Sequence, residues 1–127
     1  MMVSFKIDYP KTPEGKREWN RRYGLNAYYS GKHPAVRTKD ARYWHELTAV
    51  YLAKAKVRKD PFTKPVKITF YWNDNLDLDN HSAMGKMILD GLKGRLIHDD
   101  SRKWVKAIEH TWHDEDCIRV CLSEVEE

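Results

Sequence analysis

The sequence has few of the residues that staple or interrupt small proteins. It contains two cysteines, six glycines and five prolines in 127 residues, which argues against a disulfide scaffold or a low-complexity linker. No apolar run approaches the roughly 20 residues that cross a bilayer. The first ten residues lack the apolar centre of a secretory signal. We therefore expect a cytoplasmic protein with reduced thiols and no membrane contact.

What the chain does contain is enough apolar and aromatic material for a core, beside an uneven charge. Hydrophobic residues make up 41% and aromatic residues 12% of the chain, which predicts one folded domain over residues 1–127. Residues 1–73 hold 16 Lys/Arg and 6 Asp/Glu, whereas residues 74–127 hold 7 and 13. The basic half indicates a polyanionic partner, with a solvated surface of mixed charge as an equal alternative. Acids in the other half suit a nucleic-acid partner best if a cation lies between them and the phosphates.

Hydrophobic periodicity predicts the element order β-α-β-α-β-β, an α+β fold with two helices packed on a mixed sheet. The last two strands are expected to form a hairpin. The predicted elements are a strand through Val3, Phe5 and Ile7, a helix over Lys39–Val57, a strand over Val66–Trp72, a helix over about Asn80–Lys93, and strands over Trp104–Trp112 and Ile118–Val125.

Between the first strand and the first predicted helix lies a long basic segment, Lys11–Thr38. It has no sustained period, and its length favours a functional or partly helical segment. Cations interleaved with aromatic rings suit contact with nucleic acid, because cations meet phosphates and rings can stack on bases. Burial of the same rings in the core is an equal alternative for any one of them. The residues that we expect to contact DNA are Arg21, Arg22, Asn26, Tyr29, Lys32 and Arg37.

Two aspartates follow the predicted strand Val66–Trp72. Asp77 and Asp79 are two apart, so in extended chain their carboxylates point the same way and can address one hard cation. Asp79 is also placed to cap the following helix. On that helix, Lys86 and Asp90 return to nearly the azimuth of Asp79. This polar face could orient a phosphate, or it could hold an ordinary Lys86–Asp90 ion pair.

These residues carry a resemblance to a known family. Asp77-Leu78-Asp79-Asn80, then Lys86 to Leu92 with Asp90-Gly91-Leu92, then Asp99-Asp100-Ser101 together resemble the RusA family of Holliday-junction resolvases, which are small prophage endodeoxyribonucleases. Leu25 to His33 is also similar to the N-terminal segment of phage-type members. The resemblance spans about Leu25 to Ala107, and the three-part spacing is specific where each part alone is not.

The resemblance implies a fold, a site and a substrate. It implies that Asp77, Asp79 and Asp100 ligate Mg²⁺, with Mn²⁺ as a substitute, and that Lys86 is the catalytic lysine. Asp99 and Asp90 would be secondary acids. It further implies a homodimer that nicks four-way DNA junctions by metal-assisted hydrolysis in recombination and repair, in a bacterial or phage-infected cell, without a small-molecule cofactor.

The chain departs from the family pattern at the lysine. The family lysine lies three residues past the Asn, whereas Lys86 lies six past Asn80. Either the first helical turn is irregular here, or Lys86 has a shifted role.

Three other functions compete with this one. A small phosphatase of the HAD type also has Asp-x-Asp after a strand, but it is disfavoured because Asp77 comes after a polar turn and no Thr follows. A catalytically inactive, branched-DNA-binding phage protein of the same fold stays open as the main alternative. A zinc module built from His110, His113, Cys117 and Cys121 is disfavoured, because the two cysteines on one strand face would lie about 13 Å apart.

Overall fold

The computed structural model describes residues 1–125, with the side chains of Tyr28 and Tyr29 outside the description. Four strands and four α-helices are joined by short connections, and a 3₁₀ helix precedes the last α-helix. The elements are β1 Met2–Asp8, α1 Pro13–Tyr23, α2 Leu25–Tyr29, α3 Pro34–Lys54, β2 Val66–Trp72, the 3₁₀ helix Leu78–His81, α4 Ser82–Leu92, β3 Val105–Trp112 and β4 Cys117–Glu124. Among the described residues, none of the helices is long and apolar enough to cross a membrane.

The strands form one open mixed sheet in the order β1-β4-β2-β3. This confirms the mixed α+β class, but the predicted hairpin between β3 and β4 is wrong. β3 pairs in parallel with β2, whereas β4 lies between β1 and β2 and is antiparallel to both. The reason lies in the side chains. Ile118, Val120 and Leu122 of β4 are completely buried and suit a central strand, while β3 exposes Lys106 and Glu109 and suits an edge.

The basic segment after β1 is helical, contrary to its lack of a visible period. Thr12 caps α1, since its Oγ1 accepts a hydrogen bond of 3.0 Å from Gly15 N, and Pro13 begins the helix. Trp19 and Tyr23, four residues apart, are buried in the core. The charged residues around these two rings hide the amphipathic pattern in the sequence. For Trp19 and Tyr23, the structure confirms the alternative of burial in the core.

The helix predicted from Lys39 begins five residues earlier, at Pro34, and ends at Lys54. It contacts α4 closely at Gly91, where an added Cβ would lie 3.2 Å from Thr48 Cβ. The two helices and the inner faces of the strands enclose one core cluster. Because β2 and β3 are parallel, α4 must carry the chain back from the C-terminal end of β2 towards the start of β3. The two ends of α4 therefore lie at opposite ends of the sheet.

Candidate metal-binding turn and nucleic-acid groove

The acidic turn, residues 74–79, follows β2 directly and carries Asp77 and Asp79. Both side chains are exposed. Among the described residues, no hydrogen-bonding or ion-pairing partner reaches either carboxylate. Asp77 stands at the N-cap position of the 3₁₀ helix without a side-chain capping bond, and α4 likewise has none. The predicted capping role of Asp79 is therefore wrong, and both carboxylates are left open to solvent.

Beneath this turn lies a buried polar network centred on Asp74 and His81, whose side chains are both 0% exposed. His81 Nε2 lies 2.7 Å and 2.9 Å from the two carboxylate oxygens of Asp74. Its Nδ1 lies 3.0 Å from the carbonyl oxygen of Leu78. Both ring nitrogens thus lie within hydrogen-bonding distance of acceptor oxygens. Because His81 is completely buried, we interpret it as a structural anchor of the acidic turn.

Tyr9 completes the network from β1. Its hydroxyl donates to Asp74 Oδ2 at 2.9 Å and accepts from Asn73 N at 2.8 Å, while Leu76 N donates to Asp74 Oδ1 at 3.0 Å. Burial alone would raise the pKa of Asp74, but the hydrogen bonds from His81, Leu76 and Tyr9 outweigh it and hold that pKa below its usual value. Burial raises the pKa of Tyr9 strongly, so its hydroxyl stays protonated.

Aromatic rings enclose His81. Its ring centroid lies 4.4 Å from that of Trp72 and 5.5 Å from that of Trp112. Trp72 Nε1 donates to His110 Nδ1 at 3.0 Å, and burial lowers the pKa of His110, which matches an imidazole that accepts. A Cβ on Gly85 would lie 2.8 Å from His110. The side chains beneath the acidic turn are therefore tightly packed and hold its backbone in place.

The far end of α4 carries a second acidic group, the lysine–aspartate cluster of Lys86, Asp90, Lys93 and Asp100. Lys86 Nζ lies 3.2 Å from Asp90, the ordinary helix pair weighed from the sequence. Lys93 Nζ lies 3.0 Å from Asp90 and 3.2 Å from Asp100. Asp99 instead accepts a local hydrogen bond of 2.8 Å from Ser101 N. The cluster neutralises its own acids with lysines.

The structure does not bring Asp100 beside Asp77 and Asp79 within one chain. α4 has 11 residues, a length of about 16 Å, and separates the acidic turn from the lysine–aspartate cluster. Among residues 1–125, no three His, Cys, Asp or Glu side chains are arranged to hold a metal ion. Asp77 and Asp79 alone fit a hydrated Mg²⁺, which proteins hold with one or two carboxylates plus water and substrate phosphate oxygens. The same finding leaves no zinc cluster in this range, and both cysteines are free.

The irregular first turn that the displaced lysine suggested is present, as the 3₁₀ helix Leu78–His81 that precedes α4. Lys86 is well exposed and turned to Asp90. Its catalytic role stays a prediction.

An open groove runs along α1 beside the acidic turn. It has two adjoining halves of about 470 Å³ and 450 Å³. Lys16 ties its two walls together, because its Nζ donates to Asn73 O at 2.6 Å. Of the residues expected to contact DNA, Arg21 and Asn26 line the groove. The other polar lining residues are Lys16, Arg17, Asn20, Ser30, Asn73, Asp74, Asn75 and Asn80.

Arg22 and Lys32, two more of the residues expected to contact DNA, each pair with Asp40. Asp40 is buried, and it accepts hydrogen bonds from Arg22 at 2.8 Å and Lys32 at 2.6 Å. The ion pair between Arg22 and Asp40 joins α1 to α3. The side chain of Tyr29 lies outside the described residues, and Arg37 lies half-buried on α3.

Comparison with known proteins adds no family. No protein-family model matches the chain, and no curated protein matches it. The resemblance to the RusA family therefore rests on the motif residues themselves.

Proposed function

We propose that this chain is a Mg²⁺-dependent endodeoxyribonuclease that acts on branched DNA as a RusA-type homodimer, with the four-way junction as its substrate. The observation that carries the proposal is the position of the acidic turn beside the groove. Arg17 and Arg21 lie on one wall, and Asn75, on the other wall, is two residues from Asp77. A backbone held by the arginines brings phosphates towards unpaired carboxylates, which is favourable only with a cation between them.

Asp77 and Asp79 are the residues that would hold Mg²⁺ or Mn²⁺. The bound ion would lower the pKa of a water molecule and neutralise charge on the scissile phosphate. The chain itself contributes rigidity. The buried contact between His81 and Asp74 fixes the backbone from which both carboxylates project, and Arg21 and Asn26 orient the strand in the groove.

The resemblance also assigns Asp100 to the metal site. Since one copy holds Asp100 at the opposite end of α4 from Asp77, that assignment requires the second copy of the homodimer to supply it. A two-fold dimer suits a junction whose arms are related by a two-fold axis. Asp90, Asp99 and Lys86 would then face the neighbouring copy's acidic turn.

The primary test is cleavage of labelled four-way junctions, duplexes and single strands in Mg²⁺. We expect paired symmetric nicks in the junction alone, and a loss of about a hundredfold or more in Asp77→Asn. Asp114→Asn, in the exposed turn between β3 and β4, is the matched control and should cut normally.

Binding without cutting in both Mg²⁺ and Mn²⁺ would contradict the nuclease and favour the inactive DNA-binding protein. Neither binding nor cutting would contradict both functions.

A mixing experiment tests the shared site. In a mixed dimer of Asp77→Asn and Asp100→Asn copies, a site shared between copies leaves one of the two sites with both native acids. Mixing two inactive variants should then restore nicking of one strand. A site confined to one copy stays inactive in every mixture, and that outcome would remove Asp100 from the partner's role.

A further inference from the structure

Asn20 lies in the floor of the groove with an unmet hydrogen-bonding atom. The residue is only 9% exposed, and its Oδ1 has no hydrogen-bond partner among the described residues. Asn20 lines both halves of the groove. A buried amide oxygen without a partner is destabilising, and such atoms are rare in folded proteins. The oxygen itself has almost no accessible surface, so a donor in the groove meets it only when the Asn20 side chain turns towards the groove, and that bond would then supply the missing partner.

The rim above Asn20 is cationic. Arg17 pairs with Glu14 at 3.7 Å and Arg21 with Glu18 at 2.9 Å, all four side chains being well exposed. Exposed pairs of this kind are worth little, so both guanidinium groups can turn to a phosphate. The one carboxylate in the lining, that of Asp74, is already engaged by His81.

The donor that Asn20 accepts cannot come from a phosphodiester, since its oxygens carry no proton. Nucleobase edges, in contrast, carry N–H groups beside ring acceptors, and the Asn amide matches both. Each half of the groove is within the usual size of a small-ligand site.

We propose that the groove is a subsite for one unpaired nucleotide. Its phosphate lies against Arg17 and Arg21, and its base donates a hydrogen bond to Asn20. The proposal rests on the proposed function and deepens it, because base pairs at a branch point open more readily than those inside a duplex, yet it concerns binding and needs no metal.

The test is fluorescence anisotropy in EDTA with two labelled single strands of equal length, one bearing bases and one abasic throughout. The native protein should bind the base-bearing strand about five- to tenfold more tightly. Asn20→Leu should remove this preference by weakening only the base-bearing strand. Arg21→Gln should weaken both strands equally and reduce the salt dependence.

Thr63→Leu, at an exposed position outside the groove lining, is the matched control and should retain the preference. Asn20→Ala is the second variant, in case leucine disturbs folding. Equal binding of both strands by the native protein would overturn the inference, as would an equal loss on both strands in either Asn20 variant. Junction cleavage without base preference would overturn this subsite alone. Base preference without cleavage would keep the subsite and contradict the nuclease.

Discussion

The two acidic groups at the ends of α4 differ in what holds them. Asp77 and Asp79 are exposed and have no partner among the described residues, but the backbone beneath them is fixed by the buried pair of Asp74 and His81. Asp90 and Asp100 are instead tied by Lys93 at the surface. A carboxylate that already pairs with a lysine needs no further cation. A carboxylate without a partner, held on a rigid backbone, can bind one. Of the two acidic groups, the acidic turn is therefore the one whose carboxylates are left open to a cation.

The largest loss of stability should come from removing the buried pair of Asp74 and His81 beneath the acidic turn. His81→Leu leaves the Asp74 carboxylate buried without its main partner, and we expect a loss of about 3–5 kcal/mol in the free energy of unfolding. Urea unfolding at neutral pH measures it. His45→Leu, on the exposed face of α3, is the control and should change little. A loss below about 1 kcal/mol in His81→Leu would show that the turn does not depend on the pair.

The next effect concerns pH. Because the pKa of Asp74 is lower in the folded protein than in the unfolded chain, the carboxylate stabilises the fold above its usual pKa. That stability is lost as the pH falls below about 4, towards the folded pKa. Asp74→Asn should therefore be less stable at pH 7 and show a flatter fall in stability between pH 5 and pH 3, a range set by the same linkage.

Urea midpoints measured at several pH values test this slope, with Asp114→Asn as the exposed control. If the stability of Asp74→Asn falls as steeply between pH 5 and pH 3 as that of the native protein, carboxylates other than Asp74 cause the loss of stability in acid.

How far the sequence predicts this arrangement depends on the range of the interactions. The bounds of β2 agree exactly with prediction, because Val66 to Trp72 alternate between buried and half-buried positions in a local pattern. The place of β4 between β1 and β2 could not be read locally, since strand order depends on contacts far apart in the chain. The parallel pairing of β3 with β2, which also joins distant parts of the chain, places Asp100 and Asp77 at opposite ends of α4.

The anchoring role of His81 was missed for a related reason. Its partner Asp74 is seven residues away, but Tyr9 reaches Asp74 from β1 at the other end of the chain. The unpartnered Asn20 likewise gives no signal in the sequence, because burial of its amide follows from the packing of α1 against the acidic turn. A histidine directly after Asp-x-Asp-Asn, close in sequence to a strand that ends at Trp72, is a cue that the sequence does contain.

The smallest effect should come from the lysine–aspartate cluster. Lys93 is 38% exposed and bridges Asp90 and Asp100, so solvent screens both contacts. Lys93→Gln should cost no more than about 1 kcal/mol of unfolding free energy, because exposed ion pairs contribute little. The difference from the native protein should shrink when the salt concentration is raised, since salt screens exposed charges. Lys11→Gln, at an exposed lysine without an ion pair among the described residues, is the matched control. If Lys93→Gln instead loses more than about 2 kcal/mol and salt does not reduce the loss, the contacts contribute more than exposed ion pairs do. Both ends of α4 would then be equally rigid, and pairing would not distinguish the two acidic groups.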